Sequence, residues 1–162
     1  MVAAVPLVEI WRGDFLESLH CGHAVICGPD GEIVEAWGDP HAVVLPRSSS
    51  KMIQALPLVE SGAADARGLT GAHLALACAS HNGALIHVER VNAGLKDIGF
   101  GDDDFRCGPQ ESRDDDLRSE MIRNGESACR AHNNCSGKHA GFLTLSQHLG
   151  GGAEYCQIDH PV

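Results

Sequence analysis

Apolar and polar positions divide the chain into a β-rich start and a helical remainder. Val5 to Trp11 is a short apolar-rich run, and His23 to Cys27 and Glu32 to Trp37 flank a Gly-Pro-Asp-Gly stretch at residues 28–31. Two short apolar segments around such a turn predict a β-hairpin. After Pro40 the period changes. Met52, Ile53, Leu56 and Val59 recur at helical steps behind a run of serines, residues favoured at helix N-caps, which predicts a helix there. Thr70 to Cys78 is a short apolar run that suits either a helix or a buried strand; a helix capped by Thr70 is preferred. Ala84 to Ile98 places Leu85, Val88, Val91 and Leu95 on one helical face, with Gly99 as the stop. Leu117 to Arg123 and Lys138 to Leu149 read as two further helices, the second ended by Gly150 to Gly152, and no internal repeat is visible.

Composition narrows the class. The 162 residues suit one domain, and 43% hydrophobic with 21% charged residues describes a chain that folds. A net charge of −10, from 12 basic and 22 acidic residues, argues against nucleic acid as a partner, because phosphate binding needs a basic stripe. No apolar run approaches a membrane span, and the first residues have neither the basic start nor the apolar stretch of a signal peptide, so a cytoplasmic protein is expected. Seven cysteines, Cys21, Cys27, Cys78, Cys107, Cys129, Cys135 and Cys156, have no regular spacing and are expected to be reduced thiols. The acidic stretches Gly101 to Asp104 and Asp114 to Asp116 read as solvated loop and helix-start charges, with metal binding as the alternative. The final residues, Gln157 to Val162, read as a chain interrupted rather than finished.

Three segments carry possible chemistry. Ser48 and Lys51 form a Ser-x-x-Lys where a helix should begin, one turn apart on one face, so that Lys51 is expected within hydrogen-bond reach of the Ser48 hydroxyl. A desolvated neutral lysine can take the proton of a serine nucleophile, and helix-start N–H groups can hold an oxyanion. A cap or loop is the plain alternative. Cys78 to Gly83 places Ser80, His81 and Asn82 where a buried apolar run opens into a loop, a frequent location for chemistry; capping of the next helix is the alternative. His132 to His139 contains no large apolar group. His132, Cys135 and His139 could offer zinc donors, although the spacing is not that of a zinc finger, and the glycine before a helix could bind an anion; a turn into the last helix is the alternative.

Taken in order, Arg47 to Lys51, Ala77 to Gly83, Cys107 to Pro109 and His132 to Gly141 resemble the rhizobial-type (class 3) bacterial L-asparaginases over essentially the whole chain. The resemblance implies a mixed α/β (α+β) fold similar to serine β-lactamases and penicillin-binding proteins, an antiparallel sheet with packed helices. It implies hydrolysis of L-asparagine to L-aspartate and ammonia through an acyl-enzyme on Ser48. Lys51 would be the partner lysine and Ser80 the serine of a second Ser–Lys pair. Arg47, His81, Asn82, Asn133 and Asn134 fall to substrate binding, and Cys135 and Lys138 to a zinc ion. Members of that family are about twice as long, so residues 1–162 are expected to be the N-terminal part of one asparaginase domain, with the second lysine and the third zinc ligand beyond it and a homodimer at full length. A neutral lysine base would make activity rise toward alkaline pH. Two other functions stay open at this level: a β-lactamase-like serine hydrolase of another substrate, and a non-catalytic fragment with a partial metal site.

Overall fold

The computed structural model describes residues 3–162. The chain forms two compact units that meet in sequence between Leu45 and Pro46. The first consists of two antiparallel hairpins. In one, β1 (Val5–Arg12) pairs with β2 (Phe15–Gly22); in the other, β3 (Ala24–Cys27) pairs with β4 (Ile33–Trp37). The 28–31 hairpin predicted from sequence is present, closed by Gly28 N–H donating to the Glu32 carbonyl at 2.9 Å. Strand β2 was not predicted. Its sequence does not alternate cleanly, because few of its residues are buried, although Gly13-Asp14 between two apolar-rich runs is a hairpin signal. The described residues hold two separate two-stranded antiparallel sheets.

The second unit, residues 46–162, is helical: α1 (Lys51–Glu60), α2 (Ala63–Ala66), α3 (Gly71–Cys78), α4 (Leu85–Asp97), α5 (Asp115–Asn124) and α6 (Ser136–His148). Among the described residues this makes, with the hairpins, an α+β arrangement of six α-helices and two small antiparallel sheets. Each helix predicted from periodicity is present. Thr70 caps α3 through a capping box with His73, and the Asp114 side chain accepts the Leu117 N–H at the start of α5. The main core gathers Leu76, Val88, Val91, Leu95, Phe105 and Leu143, chiefly from α3, α4 and α6. Leu58, Ala63, Ala64, Ala77 and Leu145 form a second cluster.

Two features of the unit lie outside the local pattern. The apolar stripe of α1 is outward: Met52, Ile53, Leu56 and Val59 are 49–69% exposed, whereas Lys51 and Leu58 on the same helix are 2% exposed. Periodicity identified the helix but not the face that packs. The acidic stretch after Gly101 is not simply solvated either. The Asp102 carboxylate accepts the N–H groups of Arg130 and Ala131, at 3.1 and 2.7 Å, and so ties that loop to the turn ahead of α6.

Candidate active site

Residues 47–50 form a short 3-10 turn that leads into α1. Two of its three serines hold the turn together: the Ser49 hydroxyl donates to the Pro46 carbonyl and the Ser50 hydroxyl to the Arg47 carbonyl. The Ser48 hydroxyl is exposed and has no protein hydrogen bond among the described residues, so it alone of the three is left for chemistry. Arg47 adopts φ +50°, a backbone conformation uncommon outside glycine, and its guanidinium has no partner among the described residues.

Lys51 is the first residue of α1 and is buried. A buried amine must find acceptors. It finds them across the unit rather than on its own turn: Nζ donates to the Ala79 carbonyl at 2.6 Å and lies 2.7 Å from Ser80 Oγ. The hydrogen bond expected between Lys51 and Ser48 is not formed. Ala79 caps the C-terminus of α3, where carbonyls lack helical partners and the helix dipole is negative, which makes that end the stronger attractor for the amine.

Ser80 thus belongs to a pair with Lys51, and the residues after it serve the scaffold. His81 is 6% exposed and uses both ring nitrogens: Nδ1 accepts the Gly83 N–H at 3.1 Å, and Nε2 lies 2.9 Å from Ser136 Oγ. The Ser136 hydroxyl gives its proton to the Ala131 carbonyl at 2.8 Å, so it accepts from His81 Nε2–H. Burial, followed by the neighbouring His87 and Lys51, lowers the His81 pKa to about 4 and keeps the ring neutral. Its backbone N–H also donates to the Asn134 carbonyl at 3.1 Å. His81 therefore locks the 79–83 loop to the 131–136 segment, and neither nitrogen is free for a substrate.

The asparagines are similarly occupied. Asn82 Oδ1 accepts the Ala84 N–H that opens α4, and its backbone carbonyl accepts the Arg113 N–H at 2.7 Å. Asn133 Nδ2 donates to the Gly108 carbonyl at 2.8 Å while its Oδ1 accepts the Cys135 N–H. Asn134 Oδ1 accepts the Cys135 thiol at 3.2 Å, which leaves the Asn134 amide N–H groups unused among the described residues.

Two glycines let these segments approach. Gly83 has φ +76°, and a Cβ on it would stand 2.8 Å from the His132 carbonyl oxygen; one on Gly137 would stand 2.5 Å from the Leu76 carbonyl oxygen. The first turn of α6 therefore rests directly on the backbone of α3, one turn before Ser80.

Cys135, the N-cap of α6, and Lys138 in its first turn are the two residues that the resemblance assigns to zinc. The Cys135 thiol is turned to Asn134, and Lys138 Nζ sits over the Phe142 ring, 5.5 Å from its centroid. Among the described residues no three His, Cys, Asp or Glu side chains converge on a common point. His139, one of the candidate zinc donors, is instead tied down, since its Nδ1 lies 2.8 Å from the Tyr155 hydroxyl. That hydroxyl accepts the Arg106 N–H at 2.7 Å and so gives its own proton to the ring. Burial, then Lys138 and Lys51, lowers the His139 pKa to about 4. His132 Nδ1, another candidate donor, accepts from the Cys129 backbone N–H at 3.2 Å. All seven cysteines are free thiols, as expected, and burial pushes Cys107 up to about 11.

Tyr155, Ser136 and the Ala79 carbonyl were not identifiable as parts of this site from sequence. A lone tyrosine, a serine within a polar run and a main-chain oxygen carry no spacing signal. Only the Ser136 position could have been suspected, since a polar run that starts a buried helix must be hydrogen-bonded.

The segments 47–51, 77–83 and 131–141, far apart in sequence, thus converge within one helical unit through Lys51–Ser80, His81–Ser136 and Gly137–Leu76. A comparison with the curated proteins found no match. The family model of L-asparaginase II matches residues 8–162 and spans all three segments. By that match, the chain belongs to the L-asparaginase II family.

Proposed function

We propose that this chain is an amidohydrolase that cleaves the side-chain amide of L-asparagine through a serine activated by Lys51. Family membership supports the amidohydrolase class. The observation that carries the finer reading is a buried Lys51 amine held 2.7 Å from one serine hydroxyl, with a second, unpartnered serine hydroxyl three residues before it in the chain. In the proposed step the Ser48 oxygen attacks the amide carbonyl carbon. Its proton passes to the Lys51 amine and then to the departing ammonia, and the aspartyl ester left on Ser48 is hydrolysed by water. Ser80 holds the Lys51 nitrogen in place and offers a hydroxyl through which the proton can travel. Arg47, whose guanidinium is unpaired, takes the α-carboxylate of the substrate. Cys135 and Lys138, at the start of α6, are the residues that would hold a zinc ion, and no step of the proposed reaction is routed through it.

The Lys51–Ser80 hydrogen bond also supports a second reading, in which Ser80 itself is the nucleophile. Acid quenching during turnover of L-asparagine, followed by peptide mass spectrometry, separates the two. An aspartyl ester on Ser48, with ammonia release lost in Ser48→Ala, is expected. An ester on Ser80, with Ser48→Ala still active, would transfer the role. β-Lactam turnover without asparagine turnover would refute the substrate assignment.

A further inference from the structure

A cavity of about 150 Å³ opens in the helical unit among α1, α3, α4 and α6. Leu58, Leu69, Leu76, Val91 and Ile98 give it an apolar wall. A space of this size in an apolar surround accommodates a single benzene ring. L-Asparagine, charged at both ends of its α-carbon and bearing a polar amide, does not suit such a wall.

Basic groups stand around the same cavity. Arg67, His73 and Arg90 line it, opposed by Asp97 alone. Arg67 has one N–H on the Gln147 side-chain oxygen. His73 Nδ1 accepts the Thr70 N–H at 3.1 Å as part of the α3 cap, so in the neutral ring the proton is on Nε2, available as a donor. Arg90, half-buried, takes part in no ion pair among the described residues. A guanidinium beside an apolar wall without a carboxylate partner is a site where a ligand carboxylate gains a paired, charge-assisted contact.

An independent feature points the same way. Gly94 lies inside α4 and lines the cavity, and a Cβ on it would meet nothing within 4 Å. Neither close packing nor a left-handed backbone requires glycine there, yet glycine costs a helix interior about 1 kcal/mol relative to alanine. Its effect is to leave that part of the wall open.

We infer that this cavity binds a small monocarboxylate with a compact apolar body, about the size of benzoate, its carboxylate on Arg90 beside His73 and Arg67 and its body against Leu76 and Val91.

The test is a titration of the chain with benzoate and with benzyl alcohol, which keeps the ring and removes the charge, followed by saturation-transfer NMR. Benzoate is expected to bind at least about tenfold more tightly, the equivalent of one charge-assisted hydrogen bond. Arg90→Gln should remove that advantage and leave benzyl alcohol unchanged. Gly94→Leu, which adds a helix-favouring side chain to open space, should abolish binding of both while the far-UV circular dichroism spectrum is preserved. Saturating L-asparagine should not displace benzoate. Equal binding of the two probes, full benzoate affinity in Arg90→Gln, or displacement by L-asparagine would each overturn the assignment.

Discussion

Acid should loosen the helical unit through His81, and the size of the effect follows from its surroundings. The ring is buried, neutral and doubly hydrogen-bonded, with its pKa lowered from 6.5 to about 4. As pH falls below 6.5 the unfolded chain takes up a proton that the folded chain refuses, so stability is full above pH 6.5 and is lost progressively until about pH 4. The whole shift corresponds to about 3 kcal/mol, of which about 2 kcal/mol is already gone at pH 5. Urea unfolding at a series of pH values between 7.5 and 4.5 measures this directly. The signal should be far-UV circular dichroism rather than tryptophan fluorescence, because Trp11 and Trp37 lie in strands of the other unit, whereas the helices lie in residues 46–162. Carboxylates and His139 titrate in the same range, so His81 is isolated by comparison with His81→Gln, which cannot titrate and whose amide can still donate to Ser136. The variant should lose about 2 kcal/mol of the pH dependence between 7.5 and 5. Identical pH profiles for the two proteins would refute the assignment of a buried neutral imidazole.

Other consequences can be measured on the same unit. Gly137→Ala forces a methyl onto the Leu76 carbonyl and should destabilise the unit by about 1–3 kcal/mol, read as a lower urea midpoint. Tyr155→Phe removes the hydroxyl shared by the Arg106 N–H and His139 Nδ1 and should cost about 1–3 kcal/mol in the same assay, since it leaves a buried donor and acceptor unpaired. Ser80→Ala deprives the Lys51 amine of one of its two anchors and should lower the rate of ammonia release by at least about tenfold in the active protein, with the helical circular dichroism unchanged.

The local pattern of residues determined the helices, the Gly28–Gly31 hairpin, the Thr70 cap and the stops at Gly99 and Gly150, because these depend on contacts within a few positions of each other. It also marked the three chemical segments, since serine, lysine and asparagine in short apolar-free runs are conspicuous without any fold. Strand β2 escaped because its pairing with β1 is a main-chain affair that few buried side chains record. The partners within the site escaped for a related reason. Spacing along a helix put Lys51 next to Ser48, but a buried amine goes where acceptors remain, and the open carbonyl at the end of α3 is positioned by packing, through Gly137 on Leu76. Which residues are near each other along the chain was readable in the sequence; which polar groups satisfy each other was decided only when the helices closed and water left.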